Sequence, residues 1–408
     1  MNKFEKNTNK ILSLKQLQHI TLESQGLVKA SPFGAGKNAV LNAIEHLGYL
    51  QIDTLSIVER AHHHTLWTRV PDYKTEYLDE LVKECKIFEY WFHAASYLPM
   101  KDFRFVLPRM LKVKKSKTHY YNADPKVMQY VLDIIGTEGP KKARDFHNET
   151  KKSGSWWSWK PTKIALERLF LQGDLMISGR DRMEKVYDLT ENVLPKSIDT
   201  TMPTEFEFAE YLVKTYLRAY GFTTVKQITH LKKGRELREN TNKILKVMLE
   251  EGTIQKVDIE GMPPIFIKSD LVGKIIRQGY SGIKFLSPFD NSIIHRDRIK
   301  QIFDFDYKIE CYTPKERRKY GYFCLPILFG DTFIGRMDCK AHRKEKRFEI
   351  IHLYIENQSI DIELWVSPFV EEIKRFSEFN GCESLKLTKV DPHKLTSTLK
   401  RVIESNGK

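Results

Sequence analysis

Gln51-Ile52-Asp53 places an amide and a carboxylate on either side of one apolar residue. In an extended segment, alternate side chains point to opposite faces. Leu50 and Ile52 then share one face, and Tyr49, Gln51 and Asp53 share the other. An amide beside a carboxylate can hold and polarise a water molecule. The same spacing also describes a solvated strand face, and periodicity alone does not separate the two.

The elements around this triplet can be read from spacing. Val40, Leu41, Ile44 and Leu47 lie at the intervals of a buried helical stripe, which predicts a helix over 38–47. Gly48 follows where a helix C-terminus favours a residue tolerant of positive φ. Upstream, Ser13-Leu14-Lys15-Gln16 has the form of a capping box, with Leu14, Leu17 and Ile20 as the stripe of its helix. Gly34-Ala35-Gly36-Lys37 is not a phosphate loop: Ser31 stands at the first required glycine and Asn38 at the required Ser or Thr.

The order helix, glycine, β-prone run recurs. It appears at Leu166–Ser178, continuing through a basic turn at Gly179–Arg182, and again at Met248–Asp258, with a turn at Glu260–Pro264. Three helical units each closed by a hairpin have the pattern of winged-helix modules, a weak repeat of pattern rather than of residues. From residue 284 the chain becomes β-rich. Strands are expected at 304–312, 320–328, 334–338 and 348–355, with Gly330-Asp331 as a two-residue hairpin turn. Ser367-Pro368 reads as a helix start and the last residues as frayed. The expected fold is α+β: three tandem winged-helix modules (1–100, 101–200 and 201–283), then an antiparallel β domain with a terminal helix (284–408).

The chain has 408 residues and a formal net charge of +14, spread along its length. Such a surface suits an anionic partner, with nucleic acid first and a membrane surface second. Five widely spaced cysteines, none in C-x-x-C, form neither a disulfide framework nor a zinc site. The first residues lack a signal peptide's apolar core, and no run is long enough to span a bilayer. A cytoplasmic protein is expected, nucleoid-associated when bound to DNA.

Candidates for phosphate contact are Arg60, His62, His63, His64 and Arg69, and the hairpin tip with His342, Arg343, Lys344, Lys346 and Arg347. Three consecutive histidines do not share a helix face, so they make a poor metal site. The basic stretch 109–117 reads equally as a solvated helix face or a phosphate contact. Trp156-Trp157-Ser158-Trp159 reads as a core cluster or as a platform for exposed bases.

Several stretches together resemble a bacterial family of winged-helix DNA glycosylases, the AlkZ/YcaQ type, which excise alkylated purines and unhook interstrand crosslinks. They are Leu47–Asp53, Val58–Arg69, Phe88–Trp91, Leu286–Asp290, Phe305–Pro314 and Gly335–Asp338. Gln51-Ile52-Asp53 resembles the YcaQ branch, where the other branch has Gln-apolar-Gln. The resemblance implies that Gln51 and Asp53 are the catalytic pair and that the hairpin tip near His342 to Arg347 probes duplex DNA. An N7-alkylated purine is cationic and leaves readily, so one carboxylate suffices to stabilise the oxocarbenium-like sugar and take the proton of water. A monofunctional glycosylase acting as a monomer, without metal or organic cofactor, is the expectation. A non-catalytic winged-helix regulator is the alternative.

Overall fold

The computed structural model describes residues 12–116, 120–146, 161–232, 234–273 and 282–405. It is a mixed α+β chain that divides into two compact units. One comprises Gly36–Ile52 and Tyr73–Tyr211; the other comprises Met1–Ala35, Asp53–Asp72 and Leu212–Lys408. The boundary therefore falls between Ile52 and Asp53. The tryptophan cluster at 156–159 and Lys117 lie outside the described residues.

In the first unit, the helix Gly36–Leu47 buries Val40, Ala43, Ile44 and Leu47. Gly48 turns the chain at φ 82°, and its N–H returns to the Ile44 carbonyl at 2.8 Å. Strand β1 (Leu50–Gln51) follows, then the hairpin of β2 (Ile87–Trp91) and β3 (Ala95–Pro99), in the sheet order β1-β3-β2. Gln51 pairs with Ser96. The Ile52 N–H still reaches the Ala95 carbonyl at 2.8 Å. Beyond it the chain has no strand geometry, so Asp53 lies outside the sheet.

The expected alternation holds from Leu50 to Asp53, where buried and half-buried residues alternate. It fails at Tyr49, which is buried because its ring stacks on Phe92 at 4.6 Å. A second sheet in this unit joins β4 (Lys141–Lys142), β5 (Leu175–Asp181) and β6 (Glu184–Leu189) in the order β4-β6-β5. One apolar cluster serves both sheets, with Phe88, Phe103, Leu166, Leu169 and Tyr187 among its members. Arg180 near the basic turn is tied down, its guanidinium bonded to both Glu89 carboxylate oxygens at 2.9 and 2.8 Å.

In the other unit, the Ser13 capping box forms as read, with the Gln16 N–H donating to Ser13 Oγ at 3.2 Å. Strands β7 (Phe222–Thr223), β8 (Ile254–Val257) and β9 (Ile265–Lys268) make a third small sheet, ordered β7-β9-β8. A five-stranded sheet follows: β10 (Ile283–Phe285), β11 (Cys324–Phe329), β12 (Thr332–His342), β13 (Arg347–Ile355) and β14 (Ser384–Asp391), in sequential order. Gly330-Asp331 forms the tight turn expected of it, with Phe329 paired to Thr332. At Gly335 a Cβ would collide with the Tyr354 carbonyl of the neighbouring strand, so only glycine fits.

Four expectations for this region are corrected. The sheet is mixed, because β13 and β14 run parallel, joined by the helix Ile362–Phe379 as a crossover. Residues 384–391 are held by that pairing, and a last helix, Thr396–Ser405, buries Leu399 and Ile403, while 406–408 lie outside the described residues. The crossover helix is capped by Asp361, whose side chain accepts the Glu363 N–H, so Pro368 is internal. Leu364, whose carbonyl loses the Pro368 partner, is exposed to water. Residues 304–312 are not a strand. Their alternating aromatics reflect packing: Phe305 stacks on Phe333 at 4.7 Å, and the Arg336 guanidinium lies 4.5 Å over its ring.

Candidate active site

Asp53 sits where the chain has just left β1. Its Oδ2 accepts the Leu55 N–H at 3.1 Å, a local turn that fixes the carboxylate. The side chain is half-buried. Loss of water raises its pKa above the ordinary carboxylate value, while the Leu55 and Thr54 N–H groups and the Arg60 charge oppose the rise. The outcome is a carboxylate that is a stronger proton acceptor than a solvated one.

The residues that follow are braced. Arg343 Nη1, at the end of the β12–β13 hairpin, donates to the Ser56 carbonyl at 2.9 Å, and its Nη2 lies 3.7 Å from Glu59 Oε2. The Ala341 N–H donates to the Ile57 carbonyl at 2.9 Å. Two residues further on, the Glu59 N–H donates to Asn380 Oδ1 at 2.6 Å. A backbone held at Ser56, Ile57 and Glu59 has little freedom to carry Asp53 away. Cys311 and Tyr312 also feel the Asp53 charge: burial first, then that charge, pushes the Cys311 thiol up. Tyr312 is shifted the same way by burial, Cys311 and Asp53, yet 79% of it is exposed, an aromatic ring left to solvent near the carboxylate.

Gln51 belongs to the other unit and is held there. His93 Nε2 lies 2.9 Å from Gln51 Oε1. The Tyr49 ring meets the imidazole edge-on, with centroids 5.0 Å apart. With Nε2 protonated, the imidazole donates to the amide oxygen, and the amide NH2 keeps its donors for a water oxygen. Among the described residues, no group of three or more His, Cys, Asp or Glu could hold a metal ion.

The model of the AlkZ-like DNA glycosylase family matches residues 44–377. This chain is a member of that family. The solved structure of the DNA glycosylase AlkZ of Streptomyces sahachiroi matches with a TM-score of 0.61 at 14% identity, over 93% of this chain and 100% of that one. At that identity the likeness is one of fold.

For an AlkZ-like glycosylase, the placement of the expected phosphate contacts matters. Two are corrected. Arg69 is fully buried, with Nη1 and Nη2 on Asp290 at 2.7 and 2.8 Å and Nε on the Gln25 carbonyl at 2.8 Å. It cannot reach a phosphate, because a bidentate carboxylate holds its fork inside the fold. His64 is also buried, with Nε2 2.8 Å from the Phe285 carbonyl. Burial lowers its pKa to about 4, so at neutral pH it carries no charge to offer. His62 is buried as well, its ring 4.3 Å from that of the half-buried His63.

Arg60 is half-buried at the start of the Ala61–Trp67 helix, where its charge acts on Asp53. The hairpin tip is more open. Arg343, Lys344 and Lys346 are exposed, and Arg347 and His342 are half-buried. Several are paired: His342 with Glu349 at 2.9 Å, Lys346 with Glu383 at 2.6 Å and Arg347 with Glu345 at 2.8 Å.

Three residues, His93 beside Gln51 in one unit and Cys311 and Tyr312 beside Asp53 in the other, were not singled out by sequence reasoning. His93 ends the aromatic run that begins at Phe88, and Cys311 and Tyr312 lie in one of the stretches that carry the family resemblance. Nothing in their local spacing points to Gln51 or Asp53, since 42 residues separate His93 from Gln51.

Proposed function

We propose that this DNA glycosylase hydrolyses the N-glycosidic bond of N7-alkylated purines, including those in interstrand crosslinks, and leaves an abasic site. Asp53 and Gln51 are the catalytic pair. The C1′–N9 bond breaks, and its electrons neutralise the cationic base. Asp53 stabilises the oxocarbenium-like sugar and takes a proton from the water that adds to C1′. Gln51, its oxygen engaged by His93, orients that water through its amide NH2. A crosslinked base is tied to the opposite strand, so the attack comes from outside the stack rather than in a deep base pocket.

The observation that carries this reading is the half-buried carboxylate of Asp53, its pKa raised by burial, on a backbone braced at Ser56 and Glu59. The three small sheets share one order, a short first strand beside the second strand of a hairpin, as winged-helix modules have. They supply surfaces for the duplex, with the tip at Arg343, Lys344 and Lys346 in a groove. The protein acts as a monomer.

The test is single-turnover cleavage of duplex carrying N7-methylguanine or a nitrogen-mustard crosslink. Wild type should yield abasic product, and Asp53→Asn should lose at least about a hundredfold in rate while duplex binding persists. Equal rates would remove Asp53 from the mechanism. Duplex binding with no product from either protein would favour a non-catalytic regulator.

A further inference from the structure

In the unit that contains Asp53, a cavity of about 280 Å³ lies between β7, the turn after β8 and the start of the Arg296–Phe303 helix. None of the proposed catalytic residues lines it. Its polar wall includes Arg296, Arg298, His230 and His295; its apolar wall includes Phe222 and Met262.

The two arginines are unusual. Arg298 is 2% exposed, and its Nη atoms meet only neutral acceptors: the Phe222 and Tyr220 carbonyls, Gln227 Oε1 and Thr21 Oγ1, at 3.1 to 3.3 Å. Its Nε is buried with no hydrogen-bond partner among the described residues. Among the described residues Arg296 likewise donates only to the Ile293 and Pro288 carbonyls, at 2.8 and 2.6 Å. Among the described residues neither has a carboxylate partner. Burial accordingly lowers both, Arg298 to about 9.

Elsewhere in the same unit the fold treats a buried arginine differently, giving Arg69 the carboxylate of Asp290. Buried charges are normally paired. Among the described residues, the one acid lining the cavity, Asp297, is engaged by Lys226 at 2.8 Å. A desolvated guanidinium at Arg298 and a half-buried one at Arg296, neither with a counter-charge among the described residues, beside two imidazoles, make a site for an anion. Phe222, whose ring lies 3.9 Å under the Arg298 guanidinium, and Met262 make it a site for an anion with an apolar body. The volume is near the lower end for small-ligand pockets, about 300 Å³.

We propose that this cavity binds a phosphate ester of nucleotide size, with Arg296, Arg298 and His230 toward the phosphate and Phe222 and Met262 toward the organic part. The ester is either a free mononucleotide or the phosphorylated end of a nucleic-acid strand. Isothermal titration of the full chain with deoxyguanosine monophosphate, deoxyguanosine and inorganic phosphate tests it. The nucleotide should saturate one site and bind at least about tenfold more tightly than either fragment. Arg298→Met should abolish binding. Because that change touches the core, His230→Glu, at a half-buried position, is the second variant, and it should weaken the nucleotide at least about tenfold by charge repulsion.

A short duplex with 5′-phosphate ends should displace a fluorescent nucleotide if strand ends are the source, and the same duplex with 5′-hydroxyl ends should not. Displacement by mononucleotide alone identifies the free nucleotide. No saturable nucleotide binding, or binding that His230→Glu leaves unchanged, overturns the proposal. Inorganic phosphate binding as tightly as the nucleotide overturns the part assigned to the apolar wall.

Discussion

Arg343 donates from Nη1 to the carbonyl of Ser56 at 2.9 Å, so a hairpin tip 287 residues away in sequence holds the backbone three places after Asp53. This joins the basic β12–β13 hairpin to the acid proposed for catalysis. A groove-probing hairpin that also braces the catalytic segment would couple seating on DNA to the position of the carboxylate.

Arg343→Ala should therefore slow the chemical step as well as binding. Losing one charge-assisted hydrogen bond to Ser56 should lower the single-turnover rate by about tenfold at saturating enzyme. Lys344→Ala, at an exposed position on the same tip, should weaken duplex binding and reduce its salt slope by about one phosphate contact, with little change in the saturated rate. Identical behaviour of the two variants in both assays would remove the bracing role.

The pH–rate profile should carry the signature of Asp53. Its pKa is raised by burial, and the base proposed above is the carboxylate form. Activity should thus be full well above that pKa and fall as pH drops through it. The acid limb should lie above the value of about 3.9 for a solvated aspartate. A single-turnover profile that stays flat below pH 4 would contradict the role of base.

The Arg69–Asp290 pair should govern stability rather than DNA binding. Asp290→Asn leaves a buried guanidinium without its counter-charge and should cost about 3–5 kcal/mol in urea denaturation. Burial pushes the Asp290 pKa up, but Arg69 and the Ser292 hydrogen bonds override it and hold it below the ordinary value. The pair's stabilisation is therefore complete above the unfolded-state pKa and is lost only as pH falls through the depressed native one. Arg69→Met should unfold the protein more readily without a specific effect on the salt slope of DNA binding.

His64 predicts a second pH dependence at milder acidity. The native ring resists protonation down to about 4, whereas in the unfolded chain it titrates at the ordinary histidine value of about 6.5. The unfolded state thus gains the proton first, and native stability declines as pH falls from 6.5 toward about 4. The difference amounts to about 3 kcal/mol in all. Comparing urea unfolding at pH 7 and pH 5 for wild type and His64→Gln measures it. An equal pH dependence in the two proteins would assign the effect elsewhere.

Much of the site's local frame was legible in sequence because it depends on short-range rules. Gly48 after an apolar stripe sets the turn into β1. The two-residue period puts Gln51 and Asp53 on the less buried side of Leu50 and Ile52. Gly330-Asp331 fixes the register of β11 and β12. Strand 384–391 and the helix around Pro368 were misread because the evidence for them is distant: a parallel partner in β13 for the one, and an Asp361 cap a full turn and more upstream for the other.

The sequence by itself determined the residue types that can do chemistry here and the two-residue interval between amide and acid. Tertiary structure alone decided which charges face water. Arg60, His64 and Arg69 look alike as candidates for phosphate contact, yet one acts on Asp53, one is neutral against the Phe285 carbonyl and one is paired with Asp290. Desolvation and pairing set the charge state of a group, and both depend on atoms brought together from far along the chain.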